Sequence, residues 1–250
     1  MVDMGNSSIK WATQTQKWLS PQQSKLYQND SLDNILTQIW RTIDVPSGGV
    51  WISNVAGPQK AVDLTRWVKK HWGLEPTFLK TSRQTCGIKN GYDNPQQLGI
   101  DRWLALIGAH HLQKGMLCVV DCGTAITVDI LSANGHHQGG LIIPGITAMN
   151  RALLTDTYAL SAVTKSLVKS DEKHFLARNT HTGIEKGTLY TVIGLLKYVT
   201  NTLKKSGNSP ALLLTGGGVP VLEPLLQSPY QYVPDLVLQG LKIIVNQPSL

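Results

Sequence analysis

Short apolar runs separated by turn residues recur along the chain: Val50–Val55, Leu117–Val120, Thr127–Leu131, Leu141–Ile143, Ala211–Leu214 and Leu241–Val245. Runs of this length, rich in Val, Ile and Leu and bounded by turn formers, predict strands buried on one or both faces. Between them the period changes. In GIEKGTLYTVIGLLKYVTNTLKK, from Gly183 to Lys205, the apolar residues Leu189, Val192, Leu196, Val199 and Leu203 recur at helical spacing. Lysines close that segment, where they complement the negative end of a helix dipole. Thr65–Trp72 and Leu98–Leu112 carry shorter versions of the pattern. Strands mixed with helices predict an α/β fold. The stretch Thr81–Gln97 is polar and broken by Gly87, Gly91 and Pro95, which marks a loop, and a joint between two halves falls at Gln113–Met116.

Length and composition narrow the class. At 250 residues, with 42% hydrophobic and 16% charged side chains, the chain can bury a full core without staples. No apolar run approaches the roughly 20 residues that span a bilayer, and no basic segment followed by an apolar one opens the chain. Cys86, Cys118 and Cys122 are odd in number and lack CxxC spacing, so a reducing cytoplasm is the simplest home. The net charge of +7 favours anionic partners. Its basic residues are scattered, with no run longer than Lys69-Lys70 or Lys204-Lys205. That charge suits nucleic acid, an anionic membrane surface or small anionic substrates, and its scatter speaks against nucleic acid; neither nucleic acid nor membrane is expected as a partner.

Two segments repeat one design. The chain opens MVDMGNSSIKW and near its middle reads VVDCGTAITVDIL. Both follow an apolar segment with Asp, one residue, Gly and a small polar side chain: Asp3, Gly5, Asn6 and Ser7, then Asp121, Gly123 and Thr124. Glycine permits a tight turn and lets an anion approach the backbone. Successive N–H groups form a nest for phosphate, to which Asn6, Ser7 or Thr124 adds a donor. The aspartate points into the same space and, repelled by phosphate, holds a cation between. A single turn of this kind is an ordinary loop motif; a pair, one at the start of each half, is more than a chance repetition. A third segment, LLLTGGGVPVLEPLL, runs into Thr215-Gly216-Gly217-Gly218 and a Pro-started helix. That bare backbone is either a tight strand-to-helix turn or a platform for a flat group.

Several residues admit two readings. Asp101, near a helix start at Gly99, is either a first-turn acid that stabilises the helix or a proton acceptor, kept ionised by the dipole at some cost to its basicity. Arg102 is either a surface arginine or a bidentate carboxylate ligand. Lys10 either reaches a phosphate or is a solvated strand residue. His110-His111 and His136-His137 are sequence neighbours without a carboxylate pattern to complete a metal site, and read as structural or surface residues. Cys122 reads as a small buried side chain.

Together the two Asp-Gly turns and the distal glycine-rich turn resemble the actin, sugar-kinase and heat-shock ATPase superfamily, in which two duplicated ribonuclease-H-like domains clamp ATP in the cleft between them. Within it, GIDRWLALIGAHH (Gly99–His111), VVDCGTAITVDIL, GGLIIPGITAMNRAL (Gly139–Leu153), Asn179-Thr180 of ARNTHTGIEKG and the closing YVPDLVLQGLKII make the chain similar to type III pantothenate kinase over essentially its whole length. The resemblance implies an actin-like ATPase domain at 1–115 with the first phosphate loop, and another at 116–250 with the second loop and the adenosine motif. It implies transfer of the ATP γ-phosphoryl group to the primary hydroxyl of pantothenate, giving 4′-phosphopantothenate in the first step of coenzyme A biosynthesis.

The resemblance also assigns roles. Asp101 is the general base. Asp3, Met4, Gly5, Asn6, Ser7, Ser8, Ile9 and Lys10 form the first ATP loop, and Thr124 contacts ATP from the second. Tyr92, Gly99, Ile100, Asp101, Arg102 and Thr180 line the pantothenate site. Asp121 binds a monovalent cation, potassium or ammonium, and Mg²⁺ accompanies ATP. A cytoplasmic homodimer is implied, joined through Gly183–Lys205 or Met149–Leu154. Two departures stand out. Only Met1-Val2 precede Asp3, so either the start lies upstream or the first strand is short; and Ser7 stands where the family usually has Thr, keeping the hydroxyl. Two further readings share the scaffold: a non-catalytic regulator, which has no need of a proton acceptor at position 101, and a sugar or acetate kinase, against which the GIDR segment and small size speak.

Overall fold

Two five-stranded sheets of identical connectivity organise a computed structural model that describes residues 1–15, 18–27, 30–156 and 174–247, the side chains of 154–156 excepted. The first half contributes β1 (Val2–Met4), β2 (Ser8–Trp11), β3 (Gln23–Leu26), β4 (Trp51–Asn54), β5 (Thr77–Phe78) and a separate hairpin, β6 (Gln84–Thr85) with β7 (Ile88–Lys89). The second contributes β8 (Leu117–Cys122), β9 (Ala125–Leu131), β10 (His137–Pro144), β11 (Ala211–Thr215) and β12 (Tyr230–Tyr232). Strand orders are β3-β2-β1-β4-β5 and β10-β9-β8-β11-β12. In each sheet three strands form an antiparallel meander and two more join in parallel. The described helices are α1 (Leu32–Trp40), α2 (Pro58–Trp72), α3 (Ile100–Leu112), α4 (Ile146–Asp156), α5 (Thr180–Lys205), α6 (Val219–Leu222) and α7 (Leu236–Val245).

Alternation along the strands sets the layers. In β8, Leu117 and Val119 face the core shared with α3 and α7, while Cys118, Val120 and Cys122 face α5. Both faces are covered, which is why the run is apolar throughout. In the first sheet Val2, Met4, Ile9, Trp11 and Ile52 pack on α1 and α2. That leaves Asp3 and Ser53 on the opposite face, where Met1 and Trp51 meet the α3–α7 layer. Trp103, Leu104, Leu106 and Ile107 of α3 are fully buried there, each contributing roughly 1.5–3 kcal/mol relative to an exposed side chain.

The strand expected at Leu241–Val245 is instead the last turns of α7. Leu236, Val237, Leu238, Gly240 and Leu241 are buried, while Asp235, Gln239, Lys242 and Asn246 recur at helical spacing on the outer face, a period too long to show within the five residues Leu241–Val245. Gly240 and Gly108 allow α7 and α3 to touch backbone to backbone: a Cβ on Gly240 would lie 1.9 Å from Leu104 O, and one on Gly108 2.7 Å from Leu236 O. The loop expected at Thr81–Gln97 contains the β6–β7 hairpin, which turns through positive φ at Cys86 (52°) and Gly87 (79°), as two-residue hairpins require. The residues that precede and enter the opening turn form the strand β1. No helix among the described residues is long and apolar enough to cross a membrane.

Candidate active site

The two repeated turns are the β1–β2 and β8–β9 hairpins, and they meet. Gly5 N donates to Ser8 O and Gly123 N to Ala125 O, each at 3.0 Å, so each turn closes through its own glycine and the second is one residue tighter. Across the gap the Ser7 and Thr124 hydroxyls are hydrogen-bonded at 2.8 Å. Asp3 pairs in register with Lys10 and accepts a hydrogen bond from Ser53 Oγ at 2.9 Å. Burial pushes its carboxyl up to about 6, opposed by the nearby Lys10 charge and reinforced by Asp101. Asp121 is likewise pushed up to about 6 by burial, again with Lys10 opposing and Asp101 reinforcing. Three carboxylates from β1, α3 and β8 thus feel one another, with Lys10 facing the same space.

Parallel pairing of β11 with β8 sets Thr215 beside Asp121 and brings the glycine-rich turn over the second hairpin. Gly218 N donates to Cys122 O at 2.8 Å. Gly216 adopts φ +91°, and a Cβ there would lie 2.4 Å from Asp121 Oδ1 and 2.6 Å from the Cys122 backbone. All three phosphate and nucleotide motifs expected from the sequence therefore converge.

Asp121 Oδ1 is enclosed and has no hydrogen-bond partner among the described residues. An anionic oxygen without a donor fits a cation. No group of three ligating side chains occurs among the described residues, so further ligands to such a cation would be phosphate, water or backbone oxygens.

Asp101 stands in the first turn of α3, with Gly99 as the N-cap residue. Its Oδ1 accepts from Arg102 N at 2.8 Å, and a Cβ on Gly99 would lie 2.5 Å from it. The expected loss of basicity is not observed. Burial dominates and raises the carboxyl, with the Arg102 contacts only partly opposing it. Arg102 is buried rather than a surface residue, and directs Nε and Nη2 to Asp129, at 2.8 and 2.6 Å. Asp129 was not singled out by the sequence, although it lies within the second motif. Tyr92 Oη accepts from Arg102 Nη1 at 2.8 Å, which brings Tyr92 into the same cluster. Thr180 is exposed at the start of α5, beside Asn179, whose side chain caps the helix by accepting from Thr182 N. Through Val192, Ile193 and Leu196, α5 covers the sheet face opposite α3. His136 is exposed, whereas His137 is fully buried.

Residues 1–202 match a family model described as type III pantothenate kinase. A protein of that name from Nitrosococcus oceani is 35% identical over all of this chain and 94% of its own length. Another of that name, from Nitrosomonas eutropha, is 36% identical over 98% of this chain and 93% of its own. The crystal structure of a Baf family protein from Campylobacter jejuni is similar in fold, with a TM-score of 0.58 at 22% identity over 97% of this chain and 96% of that one.

Proposed function

The chain belongs to the type III pantothenate kinase family, enzymes that phosphorylate pantothenate with ATP in coenzyme A biosynthesis, and we propose that Asp101 is the base of that reaction in this protein. The observation that carries the reading is the convergence of Asp3, Asp101 and Asp121 beneath two hairpins that touch through Ser7 and Thr124. In the proposed reaction the primary hydroxyl of pantothenate attacks the γ-phosphorus, its proton passes to Asp101, and the bond to the β–γ bridging oxygen breaks to release ADP. The raised carboxyl of Asp101 makes it a better proton acceptor than an ordinary aspartate. The first hairpin, Asp3–Lys10, and Thr124 hold the triphosphate. Lys10, facing the carboxylates, meets its charge.

Tyr92, Gly99, Ile100 and Arg102 line the pantothenate side. Asp121 holds a monovalent cation, potassium or ammonium, and Mg²⁺ accompanies ATP; these ions offset phosphate charge that few side chains here meet. Domains 1–115 and 116–250 form the two walls of the cleft. Thr180 joins the pantothenate site from a second copy, since α5 lies behind the sheet. The edge strand β10 and the approach to α5 support a homodimer, with Ile142 61% and Phe175 75% exposed. Of the segment Met149–Leu154, the Leu154 side chain lies outside the described residues. The three free thiols fit a cytoplasmic protein.

A coupled ADP-release assay with ATP, Mg²⁺ and pantothenate, run in potassium and then in sodium, tests the whole reading. Pantothenate-dependent release that is fast only in potassium is expected. Release without pantothenate would point to another acceptor, and no release in either salt would favour a regulator on the same scaffold.

Gly216→Ala is expected to raise the ATP KM about tenfold and to cost about 1–3 kcal/mol of stability, because the new methyl strains a left-handed position and crowds Asp121. Thermal unfolding and an ATP titration measure both. An unchanged ATP KM would remove the glycine-rich turn from the nucleotide site.

A further inference from the structure

Behind Asp101, side chains from four segments close a ring. Arg102 on α3 bonds both oxygens of Asp129 on β9. Asp129 Oδ1 also accepts from His137 Nε2 on β10, at 2.9 Å. The His137 ring stacks on Tyr92, with centroids 5.7 Å and planes 19° apart, and Tyr92 closes the ring through Arg102 Nη1. Exposure is 7% for Arg102, 2% for Asp129 and 0% for His137, so three of the four members are sealed from water.

The backbone is shaped around this ring. The β9–β10 register runs from His137 opposite Leu131 to Gly140 opposite Asp129, which inserts one extra residue as a bulge. Without it a different residue would face Asp129. A Cβ on Gly140 would lie 2.3 Å from Asp129 Oδ1 and 2.5 Å from Arg102 Nη2. On the other side, a Cβ on Gly91 would lie 1.8 Å from His137 O, so only glycine lets the Tyr92 loop rest on the strand.

A buried ion pair adds little net stability over apolar packing of the same volume. What this one does supply is orientation. Of the five guanidinium N–H groups of Arg102, three are committed to described residues. Tyr92 Oη accepts from Arg102, which leaves its own proton available to an outside acceptor, and Tyr92 is half-buried at the edge of the cluster. We propose that Asp129 and His137 are positioning residues for the phosphoryl acceptor, fixing Arg102 and Tyr92 so that both present donors to pantothenate beside Asp101. Donors held in place before the substrate arrives lose less freedom on binding, and the gain appears in affinity for the acceptor. This inference rests on the pantothenate kinase reading.

Three variants test it. His137→Phe keeps the ring stack and removes the donor to Asp129. His137→Gln offers a side-chain amide donor in its place, and Asp129→Asn removes the counter-charge of Arg102. The pantothenate KM is expected to rise about tenfold in His137→Phe and further in Asp129→Asn, with part of the loss recovered in His137→Gln. The ATP KM should stay within about twofold, a split that a general loss of structure would not give. Folded His137→Phe and Asp129→Asn proteins with an unchanged pantothenate KM overturn the proposal, as does an ATP KM that rises in step. Failure of both to fold, seen by circular dichroism, overturns it too, because the ring would then be a structural staple. Absence of pantothenate-dependent turnover in the unmodified protein is a separate result, which removes the functional reading and the proposal with it.

Discussion

Asp101→Asn is expected to lower kcat by roughly 10²–10⁴ and to leave the fold and ATP binding intact. Asparagine has the same shape and still accepts the Arg102 N–H bond, so the start of α3 keeps its geometry. What it lacks is the capacity to take a proton. Burial has raised the basicity of this carboxyl, and it also enters the surroundings of Asp3 and Asp121, so its charge is felt throughout the site. Removing that charge should ease both neighbours, and ATP affinity should hold or improve. The measurement is steady-state turnover beside direct titration with a non-hydrolysable ATP analogue. Near-normal turnover would reduce Asp101 to a helix-start residue and leave the base to be found elsewhere.

Asp3→Asn is expected to have two opposite effects: a more stable protein with activity reduced by on the order of 10² or more. Its native carboxyl sits at about 6 against an ordinary value of 3.8. Between those values the native state holds a proton that the unfolded chain has released, so stability falls as pH rises across that window. Above it the full cost of a buried charge is present, about 2–3 kcal/mol from this group. Asparagine removes that cost and can still accept from Ser53. Urea unfolding at pH 4 and pH 7 should therefore show the variant gaining stability over the parent at the higher pH and little at the lower. Equal stability of both proteins at pH 7 would show that Asp3 is not strained by burial. Unimpaired turnover would remove it from the phosphate loop.

The parts of this molecule written in local chemistry were legible in the sequence. Asp-x-Gly turns and the triple glycine act through their own backbone, so Asp3, Asp121 and Gly216 stand out in the sequence, while their meeting in one place was to be expected only from the family resemblance. Other features depend on what folds against them. Leu241–Val245 has the apolar run of a strand, and the helix shows only over the longer span from Asp235 to Asn246, whose buried face crosses α3 closely. The basicity of Asp101 could not be read from its place at a helix start, because burial by the rest of the chain outweighs the dipole. Arg102 announced a carboxylate partner, but Asp129 became that partner through strand pairing, and His137 through a bulge that no residue pattern marks.

The hydroxyl bond between Ser7 and Thr124 has a further consequence. Each of these groups carries one proton, and together they share a single bond at an exposed position. On the proposed reading, a triphosphate entering between the hairpins would exchange partners with them: one bond would be given up, and each hydroxyl could then donate to its own phosphate oxygen. The bond lost is worth about 0.5–1.5 kcal/mol, while those gained are charge-assisted and stronger. On that reading the Ser7–Thr124 contact is one the nucleotide would replace, while Met1 and Trp51 keep the halves packed through the α3–α7 layer.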